Sequence, residues 1–544
     1  MKTCAGMAGV LLCLSCLAPA AGAAELLVPD AYATIQEAMD AAVAGDQVVV
    51  AAGVYDEFDI TMPADVTLRG AGMGETIIDA GQQGRCINLG SVTGCEITDV
   101  TLRNADDEAE GTAVLLHDAQ ATLRRVAMIE NLYGAIAIVD TSEADLYDCV
   151  MDNNAGKSGA GLDVAAASSV YAYGCQITNN EGPTIGGIKI EGDAVLEHCR
   201  IDGNMATGLV GIAGGGVGVK SLGNATLRFC QITNNSSGGS GGGFWIASED
   251  ASALLEDCLI TGNWCEGTYD GGGGLHSASL AALTLRRCVI AGNYTTGEFS
   301  GPGGVLVDFG GLEMENCTLY DNYSGATEPL AGQLSLFPSG APFVTYVNVT
   351  HSIIAASSAG AGVVCEGNES QVDISCSDVW GNAGGDAVCG VGADNFSADP
   401  LLCDPAAGNF HLETASPCAP GNHPGGAGTC GDALIGAKIV GCTADIGTDP
   451  QPGHRLLQGN QPNPFADATL ISFALEAPAD VRLEVIDPSG RRVALLQDGS
   501  LTAGQHHISW DGNRLDGSRA PSGVYFYRLE AGNVQEAMRM LRLR

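Results

Sequence analysis

The fold is decided by a short element that reads LRFCQITNN at Leu227–Asn235 and returns, with changes, through much of the chain. Another copy reads LYDCVMDNN at Leu146–Asn154. The cysteine of the element occupies seven positions: Cys149, Cys175, Cys199, Cys230, Cys258, Cys288 and Cys317. Five residues after each cysteine comes an asparagine: Asn154, Asn180, Asn204, Asn235, Asn263, Asn293 and Asn322. One copy earlier, Val126 stands at the cysteine position and Asn131 at the asparagine position; with this copy included, copies lie 23 to 31 residues apart, which is typical of a coil repeat with loop insertions.

A glycine cluster and an apolar alternation separate one copy from the next, as at Gly241–Ile246 and Gly303–Val307. Alternation with a period of two, bounded by Gly and Asn, predicts short strands. A strand this short cannot bury its apolar face alone. Stacking on the equivalent strand of the next copy, ~4.7–4.9 Å away, completes its hydrogen bonds and builds a continuous core. The sequence therefore predicts an all-β protein, a parallel β-helix.

The asparagines and cysteines are predicted to form ladders along this helix. Asn tolerates the left-handed conformation of a sharp turn, and its amide can bond to the asparagines of neighbouring coils. The repeated cysteines are interpreted as buried free thiols, because parallel in-register side chains keep their Cβ atoms too far apart for a disulfide. Seven irregularly spaced cysteines are better disulfide candidates: Cys365, Cys376, Cys389, Cys403, Cys418, Cys430 and Cys442.

A short amphipathic helix is predicted to cover the N-terminal coil. Thr34–Glu37 has the pattern of a capping box, and Ile35, Ala38, Met39 and Ala42 fall on one helical face. A cover of this kind protects edge strands that would otherwise be exposed.

This opening resembles that of secreted right-handed β-helix proteins of the pectate-lyase-like superfamily. The resemblance rests on residues 33–38, Gly45-Asp46, Gly53–Tyr55 and the closing segments Asp399–Leu401 and Ser416–Cys418, and it covers roughly residues 25–445. It implies a right-handed β-helix. Lyases of the superfamily hold calcium with clustered acids and use Arg or Lys as base, whereas its hydrolases use paired Asp and a His-containing motif. Neither set is assembled here, so no catalytic, cofactor-binding or metal-ligating residue is predicted and no cofactor is required.

Three aromatic residues share one register, directly after ladder asparagines: Trp264, Tyr294 and Tyr323. The loops that follow carry acids, among them Glu266, Asp270 and Glu298. Aromatic rings pack against the C–H groups of sugars, and carboxylates accept hydroxyl hydrogen bonds or hold calcium. These six residues are candidate glycan ligands; the alternative is an aromatic stack that only covers the turn.

The first 23 residues predict a secretory signal peptide. Lys2 precedes the apolar run Val10–Leu17 and the small-residue stretch Ala18–Ala23, which places cleavage near Ala23. No later stretch has 18 uninterrupted apolar residues, so no other membrane span is expected. Residues 24–454 hold 13 basic and 54 acidic side chains, a net charge of −41, and such a field repels nucleic acid and anionic membranes.

A second domain follows a Pro/Gly-rich linker. The predicted boundaries are 24–447 for the β-helix, 448–456 for the linker and 457–544 for a small β-sandwich. The sandwich is predicted from alternating segments that are separated by turn residues, at 469–475, 480–487, 491–497, 505–510, 523–530 and 534–543.

This second domain resembles the C-terminal sorting domains of type IX secretion and the Ig-like module of flagellar hook-capping proteins. The resemblance is carried by Asn460, Pro462, Asn463, Pro464, Phe465, Gly490, Arg491, Trp510, Asp511, Gly512, Gly523 and Tyr525. It implies export to the outer-membrane surface of a Gram-negative-type bacterium, with the outer-membrane secretion machinery as partner. The alternative is a stalk-like Ig domain with no sorting role.

Three functions fit these patterns. The preferred one is a cell-surface protein whose β-helix binds a polysaccharide or surface glycan. A calcium-dependent polysaccharide lyase or glycoside hydrolase would need an acidic cluster with an Arg on one exposed strand face. A structural surface protein would bind no glycan.

Overall fold

The structure is a computed structural model that describes residues 23–106, 112–208, 214–266, 271–296, 301–326, 331–337, 346–366, 369–442, 457–461, 465, 468–475, 479–486, 491–502, 504–514, 518–521, 523–531 and 534–542. The signal peptide and the linker predicted from the sequence lie outside these residues, except for Ala23. The chain divides into two compact units, residues 1–447 and 448–544.

The first unit is a parallel β-helix, and one coil shows its plan. The chain runs through Phe244–Ala247, Ser252–Glu256, Leu259–Thr261 and Trp264–Cys265 before the next coil begins. Each of these strands pairs in parallel with its equivalent in the next coil, at Leu275–Ala278, Ala282–Arg286, Val289–Ala291 and Tyr294–Thr295. The predicted β-helix is thereby confirmed.

Four stacks of strands result, which we call faces 1, 2 and 3 and the side ladder. Face 1 comprises Glu25–Val28, Gln47–Val50, Thr67–Arg69, the first parts of Cys95–Arg103 and Gln120–Ile129, Glu143–Tyr147, Ser169–Tyr173, Asp193–Glu197, Asn224–Arg228, Ser252–Glu256, Ala282–Arg286, Gly311–Glu315, Val347–Thr350 and Val372–Ser375. Face 2 comprises Gly53–Asp56, Thr76–Asp79, the second parts of Cys95–Arg103 and Gln120–Ile129, Val150–Asp152, Gln176–Thr178, Arg200–Asp202, Gln231–Thr233, Leu259–Thr261, Val289–Ala291, Thr318–Tyr320, Ile353–Ala355 and Asp378–Trp380. Face 3 comprises Ile60–Thr61, Ile87–Gly90, Val114–His117, Ile136–Val139, Leu162–Val164, Ile188–Ile190, Val217–Lys220, Phe244–Ala247, Leu275–Ala278, Val305–Asp308, Ala331–Phe337 and Ala361–Cys365. The side ladder comprises Glu181–Gly182, Met205–Ala206, Ser236–Ser237, Trp264–Cys265, Tyr294–Thr295 and Tyr323–Ser324.

Branched aliphatic side chains fill the interior of each coil. In the coil that starts at Phe244, the side chains of Phe244, Ile246, Leu255 and Ile260 are fully buried. Each such side chain stabilises the fold by about 1.5–3 kcal/mol relative to exposure, and its neighbours above and below are of the same kind. The repeat in the sequence is thus a repeat of core residues.

The asparagine ladder is present, but the left-handed turn is not formed by the ladder residue. The amide of Asn235 donates to Asn263 Oδ1 at 2.9 Å and to the Ile201 carbonyl at 2.9 Å, and its own Oδ1 accepts from Asn204. Positive φ angles occur one residue earlier, at Asn153, Asn179, Gly203, Asn234, Gly262, Gly292 and Asp321. The prediction that one asparagine does both tasks was wrong. The turn and the buried amide belong to adjacent residues, because the ladder side chain must point inward.

The repeated cysteines form a ladder of buried free thiols, as predicted. Each sulfur lies near carbonyls, as Cys230 Sγ does near the Leu196 and Arg228 oxygens at 3.4 and 3.3 Å. Burial raises the pKa of Cys149, Cys175, Cys199 and Cys230 well above the usual value, so these sulfurs are protonated and unreactive. In the two coils that follow Cys317, serine occupies the position of the repeated cysteine, at Ser352 and Ser377.

The predicted N-terminal helix spans Ile35–Ala41. Thr34 caps it by accepting from the Glu37 N–H, whereas the Glu37 carboxylate accepts from the Ala33 N–H at 3.0 Å. Ile35, Ala38 and Met39 are buried in the main core.

The segment after the last coil, which we call the covering segment, packs on the outside of face 2. It contains 3-10 turns at Pro405–Ala407 and Thr429–Asp432 and the antiparallel pair Leu402–Asp404 and Asn409–Leu412; a further 3-10 turn, Glu369–Gln371, precedes the last strand of face 1. Leu412, Cys418 and Ile435 bury the outward side chains of Ile353 and Ala355. Outward residues of face 2 at this end are therefore buried: Ile353 and Ala355 are apolar, and Asp378 is a buried acid.

Three disulfides hold this region: Cys365–Cys389, Cys376–Cys430 and Cys403–Cys442. Six of the seven predicted candidates are thus paired. Cys418 is instead a buried free thiol beside Asp378, so the prediction was wrong for this residue. Cys418 belongs to the segment that covers face 2, and Cys403, Cys430 and Cys442 of that segment are already in disulfides.

The second unit has two antiparallel sheets. One contains Leu457–Gln461, Thr469–Leu475 and Gly504–Trp510; the other contains Arg492–Leu501, Ala479–Ile486, Gly523–Ala531 and Val534–Arg542. Trp510 is buried and contacts Phe465 and Tyr525 edge-on, with both centroid distances at 5.4 Å.

Candidate functional site

The three candidate aromatic residues form one continuous stack, which we call the aromatic row. Trp264 pairs with Tyr294, and Tyr294 with Tyr323, as neighbours in the side ladder. Ring centroids are 6.1 and 5.3 Å apart, and the planes differ by 8° and 5°. Trp264 and Tyr294 are half-buried and Tyr323 is exposed. The rings therefore cover part of each other's faces and present their edges, together with the phenol hydroxyls, on the outside of the helix.

Glycine clusters bring the backbone close to the main chain of the aromatic row. A Cβ on Gly242 would lie 2.4 Å from the Trp264 carbonyl oxygen, and one on Gly273 would lie 2.4 Å from that of Tyr294. Gly303 has the same relation to Tyr323. The clusters are therefore needed for close backbone approach, a role that the repeat pattern alone did not reveal.

The inward residues of the side ladder explain why the rings point outward. Cys265, Thr295 and Ser324 follow the three aromatics and are buried. Because side chains alternate along a strand, the preceding residue must face solvent. In the two preceding coils, Ser236 and Met205 occupy the same column, and Met205 is 40 % exposed.

The acids predicted beside the row are only partly described. Glu266 is exposed two residues after Trp264. Asp270 and Glu298 lie outside the described residues. Asp321 was not singled out from the sequence. It lies near Tyr323, and its charge helps to raise the pKa of the Tyr323 phenol, after the larger effects of burial and of Tyr294.

A charged column on face 1 bears on the enzyme alternative. The residues in register alternate in sign: Glu197, Arg228, Glu256, Arg286 and Glu315. Arg228 lies 3.3 Å from Glu197 and 3.2 Å from Glu256, and Arg286 lies 3.8 Å from Glu315. An open depression of about 360 Å³ is lined by Arg286, Glu313 and Glu315 among others. Face 1 thus carries acids and an Arg on one exposed strand face.

Electrostatics at this column favour a structural role. Burial by itself would raise the pKa of Glu256, but hydrogen bonds from Arg287 and Arg228 outweigh it and lower that pKa. A general acid needs the opposite shift, so Glu256 is suited to an ion pair.

A further aromatic group was missed by sequence analysis. Phe229 is 51 % exposed and stacks on His198, with centroids 5.0 Å apart and planes 11° apart, and Tyr173 lies beside His198. Phe229 and His198 occupy the left-handed position just before a ladder cysteine. The repeat numbering places both in one column and could have identified them.

One group of possible metal ligands occurs among the described residues: Cys376, Asp394 and Cys430. Both cysteines form a disulfide, so their sulfurs are not thiolate ligands. Within the same residues, no helix is long and apolar enough to cross a membrane.

The residues that carry the family resemblance of the second unit include part of its core. Phe465, Trp510 and Tyr525 pack together, and Gly512 takes a φ of +72° in the turn after Trp510. Asp511 accepts from the Asn513 N–H, Arg491 is exposed, and Gly523 begins a strand. Pro462, Asn463, Pro464 and Gly490 lie outside the described residues, as does the side chain of Asn460. The described aromatic members of the motif therefore stabilise the domain.

Comparison with known proteins identifies this unit as similar to the FlgD Ig-like domain, which matches residues 459–534. Over 85 residues the chain is 36 % identical to the basal-body rod modification protein FlgD of Escherichia coli (strain K12) and 35 % identical to that of Salmonella typhimurium. Each alignment covers 15 % of this chain and 37 % of the relative. The chain thus spans little more than a third of the length of these curated relatives.

Two solved structures are similar to this chain in fold. A PL6 family alginate lyase gives a TM-score of 0.44 with 14 % identity, over 71 % of this chain and 55 % of that one. The catalytic domain of a GH87 alpha-1,3-glucanase gives 0.40 with 13 % identity, over 68 % and 70 %. The right-handed β-helix region family matches residues 85–260 and 216–398, which together cover more than half of the sequence. The chain therefore belongs to the right-handed β-helix proteins.

Proposed function

We propose that this chain is an exported cell-surface protein whose β-helix binds polysaccharide along the aromatic row. The observation that carries the proposal is the in-register stack of Trp264, Tyr294 and Tyr323 on the outside of three successive coils. The site supports this function and the fold alone does not, because one fold serves many functions.

The geometry suits an extended polymer. A polysaccharide repeats its hydroxyls and C–H surfaces along its length, and the β-helix repeats one ring per coil along its axis. Tyr and Trp combine an apolar ring with a polar tip, so partly exposed members can contact both kinds of sugar surface. The glycine-held backbone keeps the rings in place before the ligand arrives, which lowers the entropic cost of binding.

The test is retention of the purified full-length chain on a panel of insoluble glycans. We expect retention to fall at least about tenfold when Trp264, Tyr294 and Tyr323 are all replaced by Ala, since stacked rings dominate such contacts. Tyr346→Ala is the matched control, because Tyr346 is 67 % exposed and lies outside the row. Equal retention of the triple variant and the parent would reject the row as the site.

The second unit is proposed to direct export and attachment at the outer-membrane surface through the secretion machinery. The residues that support this are the signal-like residues 1–23 and the sorting-like motif around Trp510-Asp511-Gly512. The test compares the location of the full chain with that of a chain ending at residue 447 in a host with type IX secretion. Surface display of both proteins would mean that the second unit is not a sorting domain.

A polysaccharide lyase or hydrolase is the second candidate, favoured by the acids and Arg286 that line the face 1 depression. Release of unsaturated or reducing ends from any glycan of the panel, lost in Arg286→Gln but retained in the aromatic-row variant, would establish it. Retention without product supports the binding function.

A further inference from the structure

We infer that the aromatic row takes a cationic polysaccharide, a polymer of deacetylated amino sugars, rather than a neutral glycan or a polyuronate. This inference rests on the proposed glycan-binding function and names its ligand class. It is carried by the distribution of charge around the row.

Positive charge is almost absent from the coils that build the row. Residues 288–437 contain 16 acidic side chains and no Lys or Arg. Extending the range back to residue 229 adds six acids and only two bases, Arg286 and Arg287. Over this stretch the β-helix is a polyanion, and it raises the local concentration of cationic ligands while repelling anionic ones.

The two arginines cannot offset the field at the row. Arg287 lies 2.7 Å from both Glu256 and Asp257, and Arg286 is paired with Glu315. Both arginines stand at the corner between faces 1 and 2, while the row stands on the side ladder beyond face 2. Their charge is already matched by acids at that corner.

Acids beside the row are free to meet a ligand. Glu266 and Asp321 are exposed, and neither forms an ion pair within the described part of the chain. Among the described residues of the coils that carry the row, the only Lys or Arg side chains are Arg286 and Arg287, and both are already paired with acids, so the carboxylate of a bound uronate would find no unpaired cation there.

An amino-sugar polymer satisfies both features of this surface. Its ammonium groups can bond to Glu266 and Asp321, and charge-assisted hydrogen bonds are stronger than neutral ones. Ammonium groups are also attracted to the faces of aromatic rings, and the end rings Trp264 and Tyr323 each have one face that no other ring of the row covers. A neutral sugar would gain the ring contacts and hydroxyl hydrogen bonds to the carboxylates, but it has no positive charge to pair with them.

The experiment measures the dissociation constants of the full-length chain for three soluble polymers of matched length: poly-glucosamine, its N-acetylated form and polygalacturonate. Titrations are made in EDTA, at a pH that keeps the amines protonated, in about 0.05 M and about 0.5 M NaCl. We expect poly-glucosamine to bind at least about tenfold more tightly than its N-acetylated form at low salt, with most of that preference lost at high salt because the Debye length shortens. Polygalacturonate should not bind.

Two double variants distinguish the effect on binding of charge beside the row from that of the overall charge of the chain. Glu266→Gln with Asp321→Asn should weaken poly-glucosamine binding about three- to tenfold, as expected for two exposed charge pairs. Glu143→Gln with Asp193→Asn removes the same charge from exposed positions of face 1 and should leave binding unchanged. Equal losses in the two double variants would overturn the assignment to the row.

The other outcomes distinguish this inference from the proposed function. If the N-acetylated polymer binds as tightly as poly-glucosamine and the row variants abolish binding of both, the row binds glycans but the inferred ligand class is wrong. Binding of polygalacturonate in calcium, reversed by EDTA, would assign the acids to a calcium site and likewise overturn the inference. If no polymer and no insoluble glycan binds, the proposed function itself is rejected.

Discussion

The coils that carry the Cys/Asn element turn at two buried corners that use different chemistry. At the asparagine corner every amide is shared with the coils on both sides, as Asn235 is with Asn204 and Asn263. At the cysteine corner, Cys230 has a single S–H and two nearby carbonyls at 3.3 and 3.4 Å. Since sulfur is a weak donor, the cysteine column acts mainly through packing. The asparagine corner depends on hydrogen-bonding groups, and the cysteine corner on volume.

The largest effect should come from breaking the asparagine corner. Asn235→Ala leaves the Asn204 backbone and side-chain N–H groups and the Ile201 carbonyl without their partner. Each buried group left unpaired costs about 1–3 kcal/mol, so we expect the free energy of unfolding to fall by about 3 kcal/mol or more. Urea unfolding measures this loss.

The adjacent residue provides a matched control. Asn234 holds the left-handed turn, and glycine stands at the equivalent positions 203, 262 and 292. Asn234→Gly should cost less than about 1 kcal/mol. A loss as large as that of Asn235→Ala would show that the turn, and not the amide ladder, stabilises this corner.

The next effect concerns the end of the cysteine column, where Ser377 replaces cysteine and Asp378 lies under the covering segment. Burial raises the pKa of Asp378 to about 7, against the lowering effect of the bond from the Ala398 N–H. The folded state therefore holds its proton more tightly than the unfolded state, whose Asp pKa is about 3.9. The contribution of Asp378 to the free energy of unfolding is fully present below pH about 4 and is lost as the pH rises to about 7.

Thermal unfolding across this range should show the decline in the parent and a smaller one in Asp378→Asn, because Asn keeps the volume and does not titrate. Identical pH profiles for the two proteins would exclude Asp378 as the titrating group.

The smallest effect should come from changing the cysteine corner itself. Valine occupies the equivalent position at Val100 and Val126, where it is fully buried. Cys230→Val keeps an apolar side chain of similar size, so we expect a change below about 1.5 kcal/mol. A loss of about 3 kcal/mol would mean that the S–H bonds contribute as much as the amide ladder, and the contrast between the corners would fail.

Much of the fold followed from residue types at fixed spacing. The strands, the in-register coils and the capping helix were predictable because each repeat presents the same apolar pattern. The free thiols followed from the geometry of parallel side chains. The separation of turn and amide between Asn234 and Asn235 did not, because adjacent asparagines look alike in sequence and only their opposite orientations distinguish them.

At the candidate site the sequence determined which rings share a register and that their surroundings are acidic. Tertiary structure alone decided that the rings stack on each other, that Arg286 and Arg287 are already paired, and that the glycine clusters approach the side ladder. It also decided which cysteines bond and why Cys418 does not. Spacing within a repeat fixes what lies above and below a residue, because coils stack in register. Contacts across the coil, and those made by a segment folded back onto it, depend on distances that spacing does not contain.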